Sequence, residues 1–92
     1  MFTGIIEEVG QLTKLSKQSI TISCSKLQED LHIGDSIAVN GICLTVTNFS
    51  KKDFSADISE ETLRVTNIGE LKISDYINLE IAMQLNGRFG GH

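Results

Sequence analysis

Ninety-two residues, 40% hydrophobic and 22% charged, suffice for one small domain with a single core and exclude two ordinary ones. Eight Lys and Arg against 12 Asp and Glu give a net charge of −4, which argues against a nucleic-acid partner, because binding to a phosphate backbone draws on clustered cations. No stretch has the length of a membrane span, the N-terminus lacks the regions of a signal peptide, and Cys24 and Cys43 have neither metal nor redox spacing; the expected setting is cytoplasmic, with no membrane partner and no metal.

In chain order, Phe2 to Leu15 is apolar and extended, but its alternation slips, and a bulge near Gly10 would restore the phase. Ser19 to Ser25 alternates polar and apolar residues as a half-buried strand requires, with Cys24 on the apolar side beside Ile20 and Ile22. Lys26 to His32 places Leu27 and Leu31 four apart, which suits one helical turn across the end of a barrel or sandwich. Strands follow at Ser36 to Val39 and Ile42 to Phe49, joined by Asn40-Gly41, a pair favoured in two-residue hairpins because both positions need positive φ. Asp53 to Ser59 alternates again. Ser59 to Arg64 then opens with an N-cap and two acids in the first turn, which predicts a short helix. Tyr76 to Ile81 is the last strand.

Six strands with one or two short helices predict an all-β fold, a small antiparallel barrel whose closure leaves no exposed edge. Leu31 to Val39 echoes Leu71 to Leu79 at a spacing of 40 residues; both are read as turns leading into buried strands rather than as halves of a duplicated domain. Residues 1–86 form the barrel, and the glycine-rich residues 87–92 read as the start of a linker.

Alternation also assigns faces. Cys43, Thr45 and Thr47 share one side of their strand, and Ser55, Asp57 and Ser59 share one side of the next, so thiol, hydroxyl and carboxylate groups would lie together near the start of the Glu60 helix. By residues alone this face reads first as the solvated side of a barrel and second as a ligand surface. Cys43 has no histidine placed near it, since the two are His32, before a turn, and His92 at the end. Glu7-Glu8 and Glu60-Glu61 are adjacent rather than spaced to converge, and neither a dinucleotide fingerprint nor a P-loop occurs.

Four segments together carry more. The opening Met1-Phe2-Thr3-Gly4-Ile5-Ile6, the hairpin Val39-Asn40-Gly41-Ile42-Cys43-Leu44-Thr45-Val46, the run Ser59-Glu60-Glu61-Thr62-Leu63-Arg64 with Thr66-Asn67-Ile68-Gly69, and the close Gly90-Gly91-His92 resemble riboflavin synthase, specifically its N-terminal lumazine-binding barrel. The resemblance is collinear over the whole chain. It implies a six-stranded Greek-key barrel that binds 6,7-dimethyl-8-ribityllumazine and riboflavin. Members of that family carry two barrels per chain and assemble as trimers. They convert two lumazines to riboflavin and a pyrimidinedione by four-carbon transfer, without metal or other cofactor.

On this resemblance the chain is a domain fragment, weakly active or inactive alone. Its partner would be a second lumazine-binding barrel, in a homodimer for the isolated domain and a trimer for the full-length enzyme. The resemblance assigns ligand contacts to Gly4, Ile5 and Ile6, to Cys43, Leu44 and Thr45, and to Asp57, Ile58, Ser59, Glu60, Glu61 and Thr62. It assigns catalysis to Phe2, Thr3, Cys43, Thr45 and Ser36. Barrels of this kind that bind lumazine or flavin without turnover are the alternative, and a ligand-free protein-interaction barrel is a third reading.

Overall fold

The computed structural model describes residues 8–25 and 31–81. The alternating segments form β1 (Glu8–Leu15), β2 (Ser19–Ser23), β3 (Ser36–Val39), β4 (Ile42–Phe49), β5 (Asp53–Asp57) and β6 (Tyr76–Ile81), with helix α1 (Glu60–Val65) and a 3-10 turn (Ile68–Glu70) between β5 and β6. All neighbours are antiparallel, and the strands close in the order β1-β2-β5-β4-β3-β6. β3, β4 and β5 follow as a meander and β5 returns beside β2, which is a Greek key. Pairing of β1 with β6 completes the ring, so each strand has a neighbour on both sides.

Inward-facing residues of every strand fill the barrel. Leu12, Ile20, Ile22, Ile37, Val39, Phe54, Ile77 and Leu79 are each at most 1% exposed, the period-two pattern turned into a core. The hairpin forms as its residues demand, with φ of 50° at Asn40 and 85° at Gly41. Asn40 also ties the turn to β6: its amide donates to the Asn78 carbonyl (2.8 Å) and its side-chain oxygen accepts from the Asn78 amide (2.7 Å). In α1 the Ser59 hydroxyl caps the helix by accepting from the Thr62 amide at 3.0 Å, while Leu63 packs partly buried on the core.

One expectation in β1 changes, and another falls mostly on residues that the structure does not describe. The proposed turn at Lys26 to His32 lies mostly outside the described residues, and Leu31 and His32 are not helical. The bulge in β1 falls between Leu12 and Lys14 rather than at Gly10. Gly10 has a different reason to be glycine: a Cβ there would lie 2.4 Å from the Ser23 carbonyl oxygen and 2.7 Å from Ile22 Cγ2. Backbone cannot yield as a flexible side chain can, so Gly10→Ala is expected to lower stability by about 1–3 kcal/mol, read from the midpoint of urea unfolding. An unchanged midpoint would contradict this packing.

The echo between residues 31–39 and 71–79 is more than two similar turns. Each is closed in the same way: the His32 and Lys72 amides donate to Asp35 and Asp75 Oδ2, both at 2.8 Å, and Gly34 and Ser74 share positive φ. Each then docks on a different strand. The Gly34 amide donates to the Val46 carbonyl and the Val46 amide to the Asp35 carbonyl, just as the Ser74 amide donates to Leu12 and the Leu12 amide to Asp75. The correspondence spreads through the barrel. Leu12 pairs with Ile22 and Lys14 with Thr21 across one bulge; Val46 pairs with Ala56 and Asn48 with Ser55, each residue 34 further on, across the other. Thus β1, β2 and β3 map onto β4, β5 and β6 by an internal twofold axis, and two pairs, Val39 with Leu79 and Thr21 with Ser55, map onto themselves.

Candidate functional site

Register brings residues far apart in sequence into one transverse row. Ser36 on β3 pairs with Thr45 on β4, Thr45 with Asp57 on β5, and Asp57 with Ser19 on β2. Strands are spaced about 4.8 Å apart, so the row runs roughly 14 Å across four neighbours. Thr45 and Asp57 are exposed and Ser36 and Ser19 half-buried. Among the described residues, the side chains of Ser36, Thr45 and Asp57 make no hydrogen bond and remain open to a ligand. Cys43 is exposed two residues along β4 from Thr45, on the same face.

The other expected site residues divide by environment. Leu44 and Ile58 are 5% and 4% exposed and belong to the core, so only their backbone can face a ligand. The Ser59 hydroxyl caps α1 and bonds the Thr62 hydroxyl at 2.9 Å. Glu61 is held by Arg64 at 2.6 Å, an exposed pair of small energetic weight, and Glu60 is exposed. Ser55, two residues along β5 from Asp57, shares a 2.9 Å hydroxyl–hydroxyl bond with Thr21 and is engaged there. Phe2, Thr3, Gly4, Ile5 and Ile6 lie outside the described residues. The alternation of β2 marked Ser19 as polar, but nothing local in the sequence aligned it with Asp57.

The two cysteines have opposite settings. Cys24 is buried, and its thiol is pushed up from 9.0 to about 12 by desolvation first, then by the charges of Glu8 and Asp53. The folded state therefore keeps its proton where the unfolded chain loses it, so this contribution to stability is intact below pH 9 and is lost as pH rises from about 9 to about 12. At pH 8 an aromatic disulfide reagent is expected to label one thiol, Cys43, quickly, and Cys24 only after urea is added. Labelling of both at one rate without denaturant would contradict this assignment.

The structure also holds a cleft of about 370 Å³ away from the row, lined by residues of β1, Ser23 to Ser25, Lys52 and Tyr76. The row itself is an open surface strip with α1 following its β5 end.

Residues 3–82 match the model of the lumazine binding domain family. The chain is 56% identical over its full length to riboflavin synthase of Actinobacillus pleuropneumoniae and 54% identical to that of Bacillus subtilis, covering 45% of each. It thus spans about half the length of the curated relatives it matches. Among solved structures it superposes on LumP complexed with 6,7-dimethyl-8-(1'-D-ribityl) lumazine, with a TM-score of 0.82 and 30% identity over 98% of this chain and 52% of that one. The LumP complex with riboflavin gives a TM-score of 0.81 at 30% identity, over 94% of this chain and 51% of that one.

Proposed function

The chain belongs to the lumazine binding domain family, and from that premise we propose that it binds a ribityl-bearing lumazine or flavin along the Ser36–Thr45–Asp57 row. The observation that carries this reading is the row itself: open hydroxyls and a carboxylate on adjacent strands, with a thiol beside them. A planar ring with polar edges needs small donors and acceptors near its plane, which Ser36, Thr45 and the β4 backbone supply. A polyol chain needs acceptors for its hydroxyls, and Asp57 at the next strand provides them. Thr62 and Glu61 sit on the helix that follows and would close over the chain.

The identity with two riboflavin synthases supports a further step, in which the barrel is one half of a catalytic pair with a second lumazine-binding barrel. The reaction would begin with loss of a proton from the C7 methyl group of one lumazine, while a nucleophile adds at C7 of the other. Cys43, Thr45 and Ser36 are the groups at hand to assist, and by the resemblance Phe2 would shield the reacting methyl groups from water. Holding two reactants face to face supplies much of the acceleration, on the order of 10⁵ M in effective concentration. Tested as these 92 residues without a second barrel beside them, the domain is expected to bind its ligand without appreciable turnover.

Titration of the purified chain with riboflavin, followed by flavin fluorescence, tests the binding step. Quenching is expected, and at a hundredfold excess over Kd the melting temperature rises by roughly 10–20 °C, the equivalent of about 2.7 kcal/mol for a domain of this size. Neither quenching nor a thermal shift at saturating riboflavin would favour the ligand-free interaction barrel instead.

A further inference from the structure

The internal twofold gives the Ser36–Thr45–Asp57–Ser19 row a counterpart. Under it Ser36 becomes Tyr76, Thr45 becomes Gln11, Asp57 becomes Ser23 and Ser19 becomes Asp53. The pairings agree, since Tyr76 pairs with Gln11, Gln11 with Ser23 and Ser23 with Asp53. This second row lies at the other end of the β2–β5 pair. Ser19 and Ser23 are four residue steps apart on β2, about 13 Å, so ligands on both rows would not collide. The 370 Å³ cleft is built on this second row. Val9 and Ser25, which also line it, are the counterparts of Cys43 and Ser59.

We propose that this cleft is a second, weaker binding site for an uncharged planar nitrogen heterocycle carrying a polyol chain. The exchange of side chains between the two rows sets its chemistry. Where the first row has a serine and a cysteine, the second has Tyr76 and Val9, 74% and 53% exposed, which give a ring an apolar surface and an aromatic face to stack on. Gln11 and Ser23 are half-buried beside them; the Gln11 side-chain amide donates to the Ser74 carbonyl at 3.2 Å and the Ser23 hydroxyl to the Gln11 carbonyl at 3.3 Å, which leaves the side-chain oxygens of both to accept from a polyol. Glu8 and Lys52 line the walls and Asp53 ends the row, so the two acids outnumber the one cation and the cleft does not favour an anionic ligand. Glu8 is already committed in part, accepting from the Ser25 amide at 2.7 Å, which fixes that wall.

The inference takes its ligand class from the reading of the first row, and the experiment separates the two. Riboflavin is titrated calorimetrically into the chain and into Tyr76→Ala, Tyr76→Phe and Thr45→Val variants, with folding checked by circular dichroism. Two molecules per chain are expected for the wild type. Tyr76→Ala weakens the second by tenfold or more, Tyr76→Phe retains it, and Thr45→Val weakens only the first. A single molecule per chain, sensitive to Thr45→Val and indifferent to Tyr76→Ala, would overturn the second site and leave the first standing. A single molecule sensitive to Tyr76→Ala alone would do the reverse. No binding at all would remove both.

Discussion

Phe54→Ala is expected to cost about 3–5 kcal/mol and to leave the chain close to unfolding at room temperature. The ring is fully buried, on β5 between β2 and β4, opposite Ile22 and Phe49 in the two ladders. Its removal takes away the largest fully buried side chain among the described residues and leaves a cavity that strands pinned on both sides cannot close. A domain of this length has roughly 5–14 kcal/mol in total, at about 0.05–0.15 kcal/mol per residue, so one such loss removes a large share. Urea unfolding measures it, with Phe49→Ala as the comparison: Phe49 is 37% exposed and its truncation should move the midpoint far less. If the two variants lost equal stability, the barrel interior would not be the main source of stability. Saturating riboflavin should recover part of the Phe54→Ala loss, because a ligand that binds only the folded state adds its binding energy to folding.

Asp57→Ala is the second large effect, and it acts on binding instead. A hydrogen bond to a charged group contributes about 1.5–3 kcal/mol, so riboflavin affinity is expected to fall roughly 10- to 100-fold. Stability should stay within about 0.5 kcal/mol, since the side chain is exposed and makes no hydrogen bond among the described residues. Lumichrome, which has the ring and lacks the ribityl chain, should lose little. That contrast assigns Asp57 to the polyol rather than to the ring. Equal weakening for both ligands would move it to the ring, and no weakening for either would take it out of the site.

The twofold repeat explains how the core tolerates unlike halves. Gly10 and Ile22 in one half stand where Leu44 and Ala56 stand in the other. Small with large in one half is answered by large with small in its counterpart, so volume is conserved while sequence is not. This is why only the two aspartate turns echo visibly. Their geometry depends on a side-chain oxygen and a positive φ, which few residues supply, whereas a buried strand position asks only for apolar bulk.

Local rules were sufficient for much of the protein. Alternation marked the strands and their inner faces, Asn40-Gly41 marked the hairpin, and Ser59 with two acids marked the helix start, because each depends on neighbours within a few residues. The spaced motifs of the opening, the hairpin, residues 59–69 and the Gly90-Gly91-His92 close carried the family. The bulges at Thr13 and Thr47, the closure of β1 on β6, and the alignment of Ser19 with Asp57 were decided only in three dimensions. Register between strands far apart in sequence follows from packing of the whole ring, and a shift of one residue would turn every side chain to the other face. For the same reason, sequence placed Thr45 and Asp57 on neighbouring faces, while only the closed barrel fixed their register, extended the row to Ser19 and gave it a counterpart at the opposite end.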